Sequence, residues 1–397
     1  MPTKSFWVKG VFFLLALVIG LNQSVRRVEP QEESLIRIAI LQDADVVEVS
    51  ARGIYEIQDP ATGMVLKTGR YLRKTKITMT KNGLRLGDED LKLRRVRFTS
   101  NKDVTIRVKK EDRRYRGAMD IVGTRNNRLL AINIIDLEDY IRGVLYHEVP
   151  PRWPLNTIMA QAIAARSYAL YHMKIRAKEL YDLTNDIYSQ VYGGRDSEKF
   201  RNNLAVNRTQ GEILTYKGKV LPAYFHSDCG GHTEDVRELW WKLDLPPLKG
   251  KVCEFCRNSP HYRWKKDFQS SVVQKMLNES GYQVGLIKEI QVTKRTASGR
   301  VKELTVVGRD GKSIRISAQD FRELLGPNIL KSNKYDIQMK GYFFDVLGQG
   351  WGHGVGLCQW GAYSMANQNY DYKAILGFYY PGAEITDYRK LKIISVH

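Results

Sequence analysis

Apolar and polar positions alternate along much of the first third of the chain. Alternation of this kind, with Arg or Lys at many outward positions, is typical of half-buried antiparallel strands. Turn-forming sequences, such as Lys81-Asn-Gly83 and Arg125–Arg128, separate the stretches. The pattern predicts a β-rich N-terminal domain over residues 35–135. Its predicted strands are Ile36–Leu41, Val46–Ser50, Leu91–Phe98, Val104–Val108 and Leu129–Ile135.

Helical spacing replaces the alternation from Leu137 onwards. Leu137–Leu145 is predicted as a short helix that Pro151 and Pro154 interrupt. Pro154 suits the first turn of a second helix, which runs to about Lys178. Residues 136–390 are therefore predicted as a helical core with antiparallel strands, and the fold class is α+β. Its further predicted elements are helices at Phe268–Gly281, Ala318–Leu325, Gln359–Gln368 and Tyr372–Tyr380, and strands at Ile287–Thr293, Val301–Val307 and Ser313–Ile316, the last two joined by a turn at Arg309–Gly311.

The extreme N-terminus carries a candidate export signal. Lys4 and Lys9 precede the apolar run Gly10–Leu21. A positive start and an apolar core of this length are typical of a signal or anchor helix. We assign residues 1–27 to it and the polar residues 28–34 to a linker. The sequence after the run has no Ala-x-Ala cleavage site, which favours an uncleaved membrane anchor over a cleaved signal that would release a secreted protein.

The net charge of the chain limits the classes of partner that it can attract. The 397 residues include 63 basic and 43 acidic residues, a net charge of +20. A field of that sign attracts polyanions such as nucleic acid, anionic lipid and anionic cell wall. Because the predicted location is extracytoplasmic, nucleic acid is excluded and a cell-wall polymer is favoured.

A series of short motifs occurs in a fixed order across most of the chain. The motifs are Tyr115–Gly117, Leu137–Tyr140, Gly143-Val144, Glu148–Pro150, Trp153-Pro154, Ala160–Ala169, Gln190–Gly193, Phe225–Ser227, Cys229–Thr233, Gly350–Gly356, Gln359, Gly361–Tyr363 and Tyr379–Gly382. Together they resemble the stage II sporulation protein D and amidase-enhancer group of lytic transglycosylases. The motifs follow the family order over about residues 35–390, which is more specific than any one motif.

The resemblance implies cleavage of the β-1,4 bond between N-acetylmuramic acid and N-acetylglucosamine, on glycan strands already stripped of peptides, to leave 1,6-anhydro ends. It assigns Glu148 as the catalytic residue. One carboxyl group suffices for this reaction, because the sugar's own 6-hydroxyl attacks C1. The acid must be protonated near neutral pH, and the apolar neighbours Val144, Leu145 and Val149 are expected to raise the pKa of Glu148 by desolvation.

A glycine-rich loop, Gly348–Gly356, is the second candidate feature. Its alternating glycines match neither a P-loop nor a dinucleotide-binding turn, but they allow close approach to a polymer. The resemblance places this loop beside the catalytic groove. Packing under the active helix is the alternative role for each residue. The predicted substrate-binding residues are Arg166, Tyr168, Trp351, His353, Gln359 and Tyr363.

Cysteine spacing predicts a metal site. Cys253-Glu-Phe-Cys256 has the spacing of a zinc knuckle, and Cys229 lies between two histidines. We predict a structural zinc ion bound by His226, Cys229, Cys253 and Cys256, with His226 favoured over His232. A Cys253–Cys256 disulfide and free thiols are the alternatives, and Cys358 is predicted to be a small buried side chain.

Three functions remain open on sequence alone. The first is an exported lytic transglycosylase with glycan strands and the membrane as partners. The second is a non-catalytic wall-binding module that stimulates a cell-wall amidase. The third, a zinc hydrolase centred on His353, is disfavoured because the chain has no His-Glu-x-x-His sequence.

Overall fold

The computed structural model describes residues 34–186 and 189–391. The predicted signal or anchor segment, residues 1–27, and all of the predicted linker except Ser34 therefore lie outside the described residues. Within the part that is described, no helix is both long and apolar enough to cross a membrane. The described residues combine sheets and helices as the predicted α+β class requires.

An eleven-stranded sheet occupies the N-terminal part of the chain and confirms its β-rich character. Its strands are β1 (Leu35–Ala44), β2 (Val46–Gln58), β3 (Val65–Thr80), β4 (Gly83–Leu86), β5 (Glu89–Asp90), β6 (Arg95–Ser100), β7 (Asp103–Val108), β8 (Glu111–Tyr115), β9 (Ala118–Gly123), β10 (Leu129–Asp136) and β11 (Leu183–Thr184). They follow the order β11-β1-β10-β9-β6-β2-β3-β4-β5, and β7 pairs with β2 and β8. Strand β3 was not predicted, because few of its side chains are buried and its apolar signal is weak.

Seven helices are present among the described residues. The central helix α2 is buried along most of its length, and its alanines, such as Ala162 and Ala165, allow neighbouring helices to approach closely. One hydrophobic core joins α1 and α2 to the inner face of the large sheet, and the domain boundary at residue 135 stays a prediction. The helices are α1 (Leu137–Glu148), α2 (Leu155–Ile175), α3 (Phe200–Arg208), α4 (Ser270–Glu279), α5 (Ala318–Leu325), α6 (Gln359–Asn367) and α7 (Tyr372–Tyr379).

Residues 264–348, which we name the inserted lobe, have a hydrophobic core of their own that includes Leu304, Phe321 and Phe344. The lobe lies in sequence between the strands Phe225–His226 and Leu357–Cys358, which pair in parallel. The predicted helix at 268–281 begins only at Ser270, because the residues before it pair as a strand with Phe343–Gly348. The remaining strands are β12 (Glu212–Tyr216), β13 (Lys219–Val220), β14 (Phe225–His226), β15 (Trp264–Gln269), β16 (Ile287–Arg295), β17 (Val301–Gly308), β18 (Ser313–Ser317), β19 (Tyr335–Lys340), β20 (Phe343–Gly348), β21 (Leu357–Cys358) and β22 (Glu384–Asp387).

Candidate active site and thiol cluster

Glu148 is the last residue of α1, three residues beyond the predicted end of that helix. The helix begins at Leu137 because the Asp136 carboxylate accepts hydrogen bonds from the first backbone N–H groups. Its apolar face, including Ile141 and Val144, is fully buried in the core. This anchored face aims the C-terminal end of α1, and with it Glu148, into a large cleft.

The carboxyl group of Glu148 has a pKa of about 7, well above its ordinary value of 4.5. Burial is the main cause, because it removes water from the charged form. Two hydrogen bonds oppose the rise: Gln359 Nε2 donates to Oε2 over 3.2 Å, and the Val191 backbone N–H also donates. The negative end of the α1 dipole disfavours the carboxylate further. A large fraction of Glu148 is therefore protonated at neutral pH, as a general acid requires.

The cleft has a volume of about 850 Å³. Aromatic side chains line one part of it, and Tyr224 and Trp240 stack there with ring centroids 4.0 Å apart and planes 11° apart. The inserted lobe lines another part with charged and polar groups, including Arg300 and Arg315. The cleft therefore combines an aromatic face with charged and polar groups, a combination that is common in ligand-binding sites.

Four of the six predicted substrate-binding residues line this cleft: Tyr168, Trp351, His353 and Gln359. Gln359 Nε2 also lies 3.4 Å from Gln161 Oε1, a contact that orients its amide towards Glu148. The cleft thus brings together residues from α1, α2, the glycine-rich loop and α6.

The structure places Arg166 and Tyr363 elsewhere. Arg166 is fully buried and forms a bidentate ion pair with Glu138, with nitrogen–oxygen distances of 2.9 and 2.8 Å. Because its guanidinium is enclosed by protein, the structure favours the packing role for Arg166 over the predicted contact with substrate. Tyr363 packs against Trp153 and Trp360 rather than lining the cleft. Packing is the alternative role considered for both residues.

The backbone conformation of the glycine-rich loop requires glycine at several of its positions. Gly352, Gly354 and Gly356 all have positive φ angles, which side chains rarely adopt. A Cβ at Gly356 would collide with the carbonyl oxygen of Tyr224. The loop can therefore lie against β14, and this approach presents Trp351 and His353 to the cleft.

His353 and His226 are both neutral. Burial lowers the pKa of His353 to about 3, and its Nδ1 accepts a hydrogen bond from the Val355 N–H. Burial likewise holds the pKa of His226 well below its usual value, and its Nδ1 lies 3.0 Å from the Val355 carbonyl oxygen. His226 therefore donates from Nδ1, and neither ring carries a charge near neutral pH.

Trp240 and Tyr224 were missed by the sequence reasoning. The neighbouring Trp241 is 78% exposed, so two adjacent tryptophans with opposite environments gave no local signal for the one in the cleft. Arg300 was not predicted either, because its contacts are distant in sequence. It is buried, and its guanidinium donates to the carbonyl oxygens of His232 and Cys229.

All four cysteines are buried and lie together. The sulfur atoms of Cys229, Cys253, Cys256 and Cys358 all lie within 4.8 Å of one another. Cys358, predicted only as a small buried side chain, therefore lies with the three cysteines of the predicted metal site, and His226 does not. The His226 ring is instead hydrogen-bonded to the Val355 carbonyl oxygen and lines the cleft.

Comparisons with known proteins match two segments of the chain to protein families. Residues 125–216, which include Glu148, match the family described as stage II sporulation protein. Residues 253–356, which include the inserted lobe, match a family described only as a domain of unknown function.

Individual relatives extend the match beyond that segment. An uncharacterized protein of Brachyspira hyodysenteriae is 36% identical over 267 residues, which cover 67% of this chain and 71% of the relative. Stage II sporulation protein D of Bacillus amyloliquefaciens is 31% identical over 275 residues, covering 65% of this chain and 76% of the relative. The amidase enhancer of Bacillus subtilis is 25% identical over 62% of this chain, which spans only 40% of that protein. The chain therefore belongs to the stage II sporulation protein D family.

Proposed function

We propose that this protein is a lytic transglycosylase that cuts the glycan strands of peptidoglycan and uses Glu148 as its single acid and base. The observation that carries the proposal is the pKa of about 7 of a carboxyl group that faces a large aromatic cleft. The family resemblance to wall-cutting enzymes supports the substrate class.

The reaction follows from one carboxyl group. Protonated Glu148 donates its proton to the glycosidic oxygen, and positive charge develops at C1 of the muramic acid. The 6-hydroxyl of the same sugar attacks C1, and the Glu148 carboxylate takes the proton of that hydroxyl. The C1–O bond to the leaving sugar breaks and an intramolecular C1–O6 bond forms, which gives the 1,6-anhydro end. No water needs to be held, because the nucleophile is tethered to the substrate.

Three other acidic residues that line the cleft have side-chain partners of their own. Glu238 and Glu303 form ion pairs with Lys302 and Lys294. Glu234 accepts hydrogen bonds from the hydroxyl groups of Thr296 and Ser298, at 2.6 and 2.8 Å. These contacts engage all three carboxylates with other side chains of the protein, which favours Glu148 as the catalytic group.

The test is digestion of peptide-free glycan strands followed by mass analysis of the new ends. We expect anhydro ends from the wild type and none from Glu148→Gln, which keeps the shape of the side chain but cannot exchange the proton. Glu254→Gln is the matched control, because Glu254 is exposed and forms only a surface ion pair with Arg257. Undiminished cleavage by Glu148→Gln would refute the assignment, and reducing ends in place of anhydro ends would indicate hydrolysis.

A second candidate function rests on the amidase-enhancer relative. In that case the cleft binds glycan without cutting it and the protein stimulates a cell-wall amidase. A purified amidase assayed with the Glu148→Gln variant separates the two functions. Stimulation that survives the substitution, together with no anhydro ends from the wild type, would favour the enhancer.

The proposed function includes a location outside the cytoplasm, at the membrane. The basic, apolar N-terminal sequence supports export and retention at the membrane, and an anionic wall suits the net charge of +20. N-terminal sequencing of protein from cells tests it. We expect an intact N-terminus in the membrane fraction, whereas a start near Val25 in the soluble fraction would show a cleaved signal.

A further inference from the structure

Four thiols from three separate segments of the chain meet behind the cleft. Cys229 follows strand β14, Cys253 and Cys256 form the Cys-x2-Cys turn before the inserted lobe, and Cys358 immediately precedes α6. All four side chains are fully buried. Cys229 and Cys253 are 24 residues apart in sequence, and Cys358 is more than 100 residues beyond Cys256, yet the four side chains converge.

We propose that these four residues bind one Zn²⁺ ion as a four-thiolate site, with Cys358 as the fourth ligand. Zinc–sulfur bonds of about 2.3 Å in a tetrahedron place the sulfur atoms about 3.8 Å apart. The four sulfur atoms here all lie within 4.8 Å of one another, and those of Cys229 and Cys256 are 3.3 Å apart. The cluster has the donor set and the spacing that zinc requires, with no open position for a substrate.

Hydrogen-bond donors around the sulfur atoms suit thiolates rather than thiols. Cys358 Sγ accepts from the backbone N–H groups of Cys229 and Gly361, both at 3.3 Å. The Gly361 N–H belongs to the first turn of α6, where the helix dipole favours negative charge. The Tyr379 hydroxyl lies 3.3 Å from Cys253 Sγ. Such partners commonly orient the ligands of a metal site.

Two cations offset the net negative charge that four thiolates and one Zn²⁺ would carry. The buried guanidinium of Arg300 donates to the Cys229 carbonyl oxygen over 2.8 Å. The Lys334 ammonium donates to the Gly230 carbonyl oxygen over 2.7 Å. Both come from the inserted lobe and lie against the turn that carries Cys229. The charge balance therefore uses the lobe as well as the core.

A disulfide explains the arrangement less well. It would use only two of the four cysteines and would leave the other two without a reason to converge. Packing of four neutral thiols as small apolar groups is chemically possible, but it does not account for the two backbone donors aimed at Cys358.

The site connects the fold to the catalytic group. Cys358 is adjacent in sequence to Gln359, whose amide donates to Glu148. A metal that fixes Cys358 would also fix the start of α6 and the position of that amide. The zinc would be structural, and the proposal stands whether or not Glu148 is catalytic.

The first experiment measures metal in the full-length protein purified under reducing conditions. We expect one zinc per chain, and a thiolate-to-metal charge-transfer band after exchange with Co²⁺. Protein that contains no zinc and takes up neither Zn²⁺ nor Co²⁺ would overturn the proposal. An iron-containing four-thiolate spectrum would overturn the choice of zinc.

Substitutions then identify the ligands. Cys358→Ser is expected to lose the bound zinc, whereas His226→Ala is expected to retain it. Zinc lost from His226→Ala and kept by Cys358→Ser would overturn the assignment of the fourth ligand. If Cys358→Ser fails to fold, the cobalt spectrum of the wild type still counts the thiolate ligands. Glu148→Gln should retain the full zinc content, which separates failure of this proposal from failure of the proposed activity.

Discussion

Replacement of Gln359 by Leu is expected to move the high-pH limb of the activity profile upward by about one pH unit. The Gln359 amide donates to Glu148 Oε2 over 3.2 Å and stabilises the carboxylate. Leu fills similar space but has no donor, so the pKa of Glu148 should rise above about 7. The protonated acid then persists to higher pH.

The size of this shift follows from the geometry. A hydrogen bond to a charged group contributes about 1.5–3 kcal/mol, and about 1.4 kcal/mol corresponds to one pH unit. The distance of 3.2 Å is at the long end for this type of bond, and Glu148 as a whole residue is only half-buried. Both features favour the lower end of the range.

The assay is kcat/KM for the release of anhydro ends from peptide-free strands, followed between about pH 5 and pH 9, because this parameter reports the pKa of the free enzyme. Gln338→Leu is the matched control, since Gln338 is exposed on strand β19 and does not line the cleft. An unchanged limb, or one that moves to lower pH, would refute the view that Glu148 is the acid and that Gln359 tunes it.

Three further predictions concern stability and binding. Because the pKa of Glu148 is raised from 4.5 to about 7 on folding, the stability that its protonated form contributes is lost as pH rises through that window. Glu148→Gln should therefore raise the free energy of unfolding at about pH 8 by roughly 1–3 kcal/mol and change it little at about pH 4. Urea unfolding measures both values, and equal effects at the two pH values would contradict the prediction. Arg166→Met leaves a buried carboxylate without its partner and should lower the free energy of unfolding by about 3–5 kcal/mol. Arg257→Met, which breaks an exposed ion pair, should change it little. Equal losses from the two variants would contradict a structural role for Arg166. Trp240→Ala removes a stacked ring from the cleft and should raise KM about threefold to tenfold. Trp241→Ala, which changes an exposed side chain, should leave KM unchanged. Equal effects of the two substitutions on KM would indicate that the substrate binds elsewhere.

Local sequence was sufficient for features that depend on near neighbours. The apolar stretches that form β1 and β10, the turns at Lys81–Gly83 and Arg309–Gly311, and the position of α2 follow from residues within a few positions of each other. Strand β3 escaped prediction because only two of its side chains, Leu72 and Ile77, are buried. A strand with so few buried positions has little periodic signal to detect.

The sequence by itself determined the family resemblance, the fold class, the candidate acid Glu148 and the Cys-x2-Cys turn, because each depends on residue types at short, ordered spacings. The tertiary structure alone decided which distant side chains meet. It paired Gln359 with Glu148 across 211 positions, buried Arg166 against Glu138, and put Cys358 rather than His226 among the thiols. Contacts of this kind depend on how helices and loops pack in three dimensions, and spacing along the chain carries no record of that packing.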